Sequence, residues 1–218
     1  MARDSGDIVR LHGYYRSSAA YRVRIALNLK RLTVEHVPHH LRKGEQRAAD
    51  YLALNPQGLL PALETGDGHV LTQSLAIIEW LDETYPEPRL LPADAFARAA
   101  CRAFSLAIAA EIHAVQNLRV LSHLRQLGLG EDAVEAWAHD VIAEGLDACE
   151  QLLAARPGPF CFGDSPTVAD ICLVPQLYNA RRFKVDVTGF PRLIAAEAAA
   201  QALAAFTDAL PEHQPDAE

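Results

Sequence analysis

The chain has 218 residues, half of them hydrophobic and 22% charged, with a formal net charge of −8. That is the composition of a globular chain rather than a disordered one, long enough to bury a core in one large domain or two small ones. The acidic balance argues against a nucleic-acid binder. No apolar run is long enough to cross a bilayer, and the opening MARDSGDIVR lacks the apolar stretch of a signal peptide.

Taken in chain order, residues 8–14 (IVRLHGY) read as a first strand. The helix that follows carries Val23, Ala26 and Leu27 on one face and Arg24, Asn28 and Arg31 on the other. LTVEHV (32–37) reads as a second strand, and HHLRKGEQ as part of a loop. LLPALE and HVLTQ read as two further strands, with the turn TGDG making them an antiparallel hairpin. Gly66 and Gly68 in that turn lack the third glycine and following helix of a nucleotide-binding loop. Ser74 then opens the helix SLAIIEWLDETY, which stops before Pro86. The order is β-α-β, a connection, then β-β-α.

PEPRLLPAD (86–94) is the best boundary. Beyond it strand signals nearly vanish, and helices are predicted around 93–127, 131–155, 167–179 and 190–208, with PEHQPDAE as a mobile tail. The pattern predicts a small mixed α/β domain followed by an all-α domain.

Four local features stand out. Pro61 interrupts an apolar strand, which suits either an edge strand or a cis-proline that turns the Leu60 backbone outward for an extended ligand. Gln73 and Ser74 precede an apolar helix, as an ordinary cap or as a carboxylate site at its positive end. Thr167 and Asp170 form a variant of the capping box, with Pro166 and Ile171 as a staple, a structural signal with no chemistry. Cys101, Cys149, Cys161 and Cys172 contain no C-x-x-C pair and read as buried, reduced thiols, consistent with a cytoplasmic protein. The nine histidines show no metal-ligand spacing, so no metal is expected.

The stretch SSAAYRVRIAL is similar to the zeta-class glutathione transferase signature S-S-C-x-W-R-V-R-I-A-L. NPQGLLPAL, QSLAIIEWLDETYP, EIHAVQNLRVL and VADICLVPQLYNARRFKVD resemble the same class, and the likeness spans roughly residues 8–210. The class includes maleylacetoacetate isomerases and bacterial maleylpyruvate isomerases. The resemblance implies a thioredoxin-like glutathione-binding domain over 8–87, an all-helical substrate-binding domain over 93–210, and a homodimer.

It also implies roles. Ser17 matches the serine on the glutathione thiolate. Leu60 and Pro61 match the backbone pair at its cysteinyl part, and Gln73 and Ser74 the clasp on its γ-glutamyl carboxylate. His40, with His39 beside it, falls where the class meets the glycyl end. Arg16 and Arg182 match arginines that hold a dicarboxylate substrate, and Asn117 and Arg119 lie on a helix facing the same cleft. Arg22 and Arg181 are expected only in solvation or salt bridges, and Ser18 as a helix cap or as a group that supports the site residues from behind. The signature's cysteine is Ala19 here and its tryptophan Tyr21. That removes a protein thiol but leaves isomerisation, in which glutathione supplies the sulfur. The implied activity is cis–trans isomerisation of maleylacetoacetate with glutathione as cofactor. Maleylpyruvate is an alternative substrate, and conjugation of small α-halo acids an alternative reaction.

Overall fold

The computed structural model describes residues 9–218; Ile8 of the expected first strand and the preceding MARDSGD lie outside them. Two compact units emerge. The first runs to Leu90 and also takes in Ala202–Glu218, and the second is Leu91–Gln201.

The first unit is a four-stranded mixed sheet with helices. Strands β1 (Val9–Gly13), β2 (Val34–Pro38), β3 (Ala62–Glu64) and β4 (Val70–Thr72) lie in the order β2-β1-β3-β4. β1 and β2 are parallel, as they must be when α1 (Ser18–Leu29) carries the chain back between them. β3 pairs antiparallel with both β1 and β4. The strands are shorter than the apolar runs suggest, because Leu60 and Pro61 stay outside the ladder. Gly68, at φ 85°, closes the expected hairpin turn. Alternation along β1 sends Leu11 into the core beside Leu63 of β3. The segment read as loop contains a short helix, α2 (Ala49–Leu54), whose Tyr51 is buried.

α3 (Ser74–Thr84) packs on α1 and buries Ile77, Ile78 and Leu81. The end of α1 is tied down by Lys30, whose side chain is wholly buried. Its Nζ donates to Asp82 Oδ1 at 2.7 Å, Tyr85 O at 2.5 Å and Pro88 O at 2.6 Å. All three ammonium protons are thereby used, which is what makes the buried charge tolerable.

Of the predicted polar face of α1, Arg31 is exposed, but Arg24 and Asn28 do not simply meet water. Tyr21, Arg24 and Asn28, spaced i, i+3, i+7, meet the carbonyls of Phe206, Ala209 and Ala205. The C-terminal residues therefore belong with the sheet. The expected helix over 190–208 divides into α8 (Pro191–Gln201) in the second unit and α9 (Ala204–Thr207) in the first. The tail predicted to be mobile is a docked strap. Gln214 Nε2 donates to Leu210 O and Asp208 O, and Asp216 bonds the β1–α1 turn.

The second unit is helical, with α4 (Ala95–Leu106), α5 (Leu118–Gln126), α6 (Glu131–Leu153), α7 (Val168–Arg182) and α8. The single helix expected over 93–127 breaks after Leu106 into a π-helical turn, Ala107–Ile112, before α5. Gly145 of α6 explains the close approach there, since a Cβ would stand 2.3 Å from Ile112 Cγ1.

α7 is buried from Val168 through Leu177 and starts on the predicted box. Asp170 Oδ2 accepts from Thr167 N at 2.8 Å and Thr167 Oγ1 at 3.0 Å, and Oδ1 accepts from Cys161 N at 2.8 Å. Burial raises the Asp170 carboxyl against the pull of these donors. All four cysteines are free and buried, and desolvation pushes the Cys149 thiol up to about 12.

Replacing Asp170 with Ala strands two buried backbone N–H groups and is expected to cost about 3 kcal/mol in urea unfolding. Asp170→Asn, which keeps an acceptor, should cost less. N-ethylmaleimide should label no cysteine in the native protein and all four after denaturation, counted by intact mass.

Candidate functional site

The turn between β1 and α1 is built by hydrogen bonds at both ends. Ser17 N donates to Tyr14 O at 2.9 Å, and the Ser17 side chain accepts from Ala20 N at 3.2 Å. Ser17, with φ −74° and ψ 113°, is thus the N-cap of α1, while Ser18 is the first helical residue rather than the cap. The Ser17 hydroxyl still has its proton to donate. The first turn of α1 holds no acidic residue, so the positive end of the helix carries no anion of its own. Arg16 stands half-buried on the turn, its guanidinium carbon 6.0 Å from the Tyr15 ring centre.

The Leu60–Pro61 bond is cis. β3 is flanked by β1 and β4, which removes the edge-strand reading of Pro61. The preceding loop is held at Leu59 O, which accepts from Tyr51 Oη at 2.6 Å and Asn55 Nδ2 at 2.7 Å. Burial pushes the Tyr51 hydroxyl up to about 12, so it remains a donor at any working pH.

Gln73 occupies the N-cap position of α3 at φ 68° without a side-chain cap, and its Nε2 donates to Gln57 Oε1 at 2.9 Å. Ser74 is the first residue of α3 and is buried. Its Oγ accepts from Arg22 Nε at 3.0 Å. Arg22 is therefore not a surface charge: it is buried and joins α1 to the start of α3. Arg181 does form the expected ion pair, bidentate to Glu197 at 2.6 and 2.5 Å.

The adjacent histidines separate. His39 lies in a cluster on the sheet face, where His12 Nδ1 and His39 Nε2 are 2.9 Å apart and His12 Nε2 meets Glu64 Oε1 at 2.6 Å. The His39 ring also lies 4.5 Å from that of Tyr51. Burial, then the neighbouring His12, lowers the His39 pKa, while the His12 hydrogen bond holds Glu64 down. His40 instead lies beside Tyr14, with centroids 4.9 Å apart, and its Nε2 is 3.3 Å from Glu218 Oε1.

In the second unit Asn117 is the N-cap of α5, and its Oδ1 accepts from Arg119 N at 3.0 Å and Val120 N at 3.1 Å. Its amide protons are not consumed by the cap. Arg119 is exposed in the first turn of α5, and Arg182 ends α7. Phe183 next to Arg182 packs with Leu124 on the cluster of Leu121, Val134 and Ala138, which draws the end of α7 toward α5. Among the described residues no group of three His, Cys, Asp or Glu side chains is placed to hold a metal ion, and no helix is long and apolar enough to cross a membrane.

Arg22, Arg24 and Asp216 are the supporting residues that pattern reading missed. The available signal was the pair of arginines two residues apart in a helix without an acidic partner.

Residues 11–89 match the glutathione S-transferase N-terminal domain, and residues 79–209 the glutathione S-transferase C-terminal domain. A probable maleylacetoacetate isomerase of Vibrio cholerae serotype O1 is 47% identical over 95% of this chain and 97% of its own length. The holo structure of a maleyl pyruvate isomerase, described as a bacterial zeta-class glutathione S-transferase, is 48% identical with a TM-score of 0.93. That match covers 96% of this chain and all of that one. Maleylacetoacetate isomerase from Anaeromyxobacter dehalogenans, solved with glutathione in its active site, is 44% identical with a TM-score of 0.89, covering 97% and 99% of the two chains. With a thioredoxin-like sheet unit, a helical unit and end-to-end likeness to these isomerases, the chain belongs to the glutathione S-transferase family.

Proposed function

We propose that this protein is a glutathione-dependent isomerase that converts maleylacetoacetate to fumarylacetoacetate. One observation carries the reading: the Ser17-capped N-terminus of α1, with no acidic residue in its first turn, occurs in a chain that matches maleylacetoacetate isomerases along nearly their whole length. The likeness to a maleylpyruvate isomerase, at 48% identity, gives that dicarboxylate an equal claim as substrate.

The residues present fit glutathione. Ser17 offers a hydroxyl proton at a helix N-terminus, the Leu60–Pro61 cis bond leaves Leu60 outside the ladder, and Gln73 and Ser74 start a second helix. When bound, glutathione supplies a thiolate that adds to the cis alkene and leaves again, so that the bond can rotate and nothing is consumed.

Ser17 donates to the sulfur, and the α1 terminus favours its anionic form. Lowering a thiol pKa by ~1.5 units is worth about 2 kcal/mol, so positioning of the substrate supplies the larger share. Leu60 holds the cysteinyl backbone, Gln73 and Ser74 the γ-glutamyl carboxylate, and His40 the glycyl end. His40 is assigned that task because its ring lies beside Tyr14, whereas His39 turns to His12 on the sheet face. Arg16 and Arg182 grip the substrate carboxylates, since a guanidinium stays charged and binds them in bidentate fashion. Asn117 and Arg119 donate to the same substrate. The glutathione-binding part is the sheet unit, which takes in Ala202–Glu218, and the substrate-binding part is the helical unit, Leu91–Gln201 rather than the expected 93–210. Ala19 stands where the class has cysteine, so no protein thiol takes part.

The protein works as a homodimer. α4 and the π-helical turn after it expose Phe96, Ala99, Ala103, Leu106 and Ala110 at i, i+3, i+7, i+10 and i+14, with Phe96 85% and Leu106 50% exposed. This apolar stripe suits a second copy of the chain. Four free buried thiols suit a reducing cytoplasm.

Both maleyl acids should isomerise only when glutathione is present, and failure with both overturns the reading. Ser17→Ala should lower the rate at neutral pH and regain most of it at high pH, because the lost interaction lowers the bound thiol's pKa and alkali restores the anion. Arg182→Ala should cost about 2–5 kcal/mol at every pH, and more with a dicarboxylate than with a monoacid such as maleylacetone. Light scattering should report a particle of twice the 23.8 kDa chain mass, and Phe96→Asp should shift it toward the monomer.

A further inference from the structure

The turn that carries Arg16 and Ser17 is gripped by a segment two hundred residues away in sequence. Asp216 Oδ2 accepts from Tyr15 N at 2.9 Å. On the other side of the same residue, Tyr15 O accepts from Arg24 Nη2 at 3.1 Å. Arg24 also donates to Ala209 O, from Nε at 3.1 Å and Nη2 at 3.0 Å, so one guanidinium bridges the turn and the strap. Arg24 is 4% exposed, and burial pulls its pKa down to about 10, still charged at neutral pH. Gln214 closes the strap on itself through Asp208 O and Leu210 O. Both polar groups of the Tyr15 backbone are thus held by partners that are themselves held.

Ser17 needs this. The turn has one internal backbone bond, from Ser17 N to Tyr14 O, and Ala20 N holds the serine oxygen against α1, but the backbone that leads into the serine at Tyr15 has its hydrogen-bond partners in the strap and in the Arg24 side chain. A carboxylate–amide hydrogen bond is stronger than a neutral one, and here it fixes the residue two positions before the serine.

We propose that Asp216, together with Arg24, is a positioning residue for the thiolate-binding turn: the strap sets the Ser17 hydroxyl in place and so lowers the pKa of bound glutathione. This rests on the role given to Ser17 above. Asp216 and Arg24 act on the turn and not on the tripeptide itself. Their effect is on the ionisation of the thiol and on turnover, and hardly on the affinity for glutathione, which is spread over Leu60, Gln73, Ser74 and His40.

The test is an ultraviolet difference titration of the glutathione thiolate bound to the full-length protein, with calorimetric glutathione affinity and urea midpoint measured alongside. Asp216→Ala should raise the bound thiol's pKa by about one unit, roughly a tenfold loss of thiolate at neutral pH, while affinity changes less than threefold. Asp216→Asn keeps a weaker, neutral oxygen acceptor for Tyr15 N–H and should recover most of the shift caused by Asp216→Ala. In a Ser17→Ala background, Asp216→Ala should add nothing to the pKa. Should Asp216→Ala not fold, Gln214→Ala loosens the strap without touching the turn and should shift the pKa the same way. If Ser17→Ala raises the pKa and the strap variants leave it unmoved, the positioning role is overturned while the role of Ser17 stands. If Ser17→Ala itself leaves it unmoved, the reading of Ser17 falls first. A loss of affinity in step with the pKa, or no rescue by Asn, also overturns the proposal.

Discussion

The structure turns on a conflict at the start of α1. A helix N-terminus attracts an anion only if its amide protons and its capping hydroxyl are accessible and no acidic side chain of the protein neutralises them. Yet the irregular backbone leading into it is largely buried, where every unpaired polar group is costly. The chain resolves this by satisfying the turn from behind. Tyr15 N–H and C=O face Asp216 and Arg24, Ser17 N–H faces Tyr14 O, and the serine oxygen accepts from Ala20 N while its proton stays available. Much else in the first unit serves that arrangement, including the polar face of α1 covered by 202–218 and the far end of α1 moored by Lys30.

A second helix start is treated in a comparable way. Ser74 at the head of α3 is held by Arg22 rather than by a cap of its own, and Gln73 takes up a positive φ where a capping residue would normally be extended. Two arginines of one helix, Arg22 and Arg24, thus point to two different supporting tasks. They lie two residues apart and so on different faces of α1, one toward α3 and one toward the strap. Replacing Arg24 by lysine would lose the branched geometry that reaches both Tyr15 O and Ala209 O.

The helical unit has a different economy. Its core is α7, which begins on the Asp170 network and carries the buried Cys172 and Pro175. Around it α6 comes close to the π-helical turn only because residue 145 has no side chain. Arg182, Asn117 and Arg119 stand at helix ends, where a side chain can reach a ligand without disturbing the packed interior. Rigid elements carry the polar groups, and the ends of those elements present them.

The sequence by itself was enough for the order β-α-β then β-β-α, the hairpin at Gly68, the capping box at Thr167 and Asp170, and four buried thiols. Each of these is written in neighbours a few residues apart, through period, turn chemistry or capping. The opening SSAAYRVRIAL likewise carried the family, because its motif is contiguous. Only tertiary structure decided that Ser17 rather than Ser18 is the cap, that Arg22 and Arg24 are interior, that His39 turns to His12 while His40 turns to Tyr14, and that the last residues fold back on the first strand and helix. A lone hydrophilic stretch such as PEHQPDAE has no local reason to be ordered. Its order comes from Tyr15, two hundred residues earlier, and a hydrogen bond across that distance leaves no period in the sequence to read.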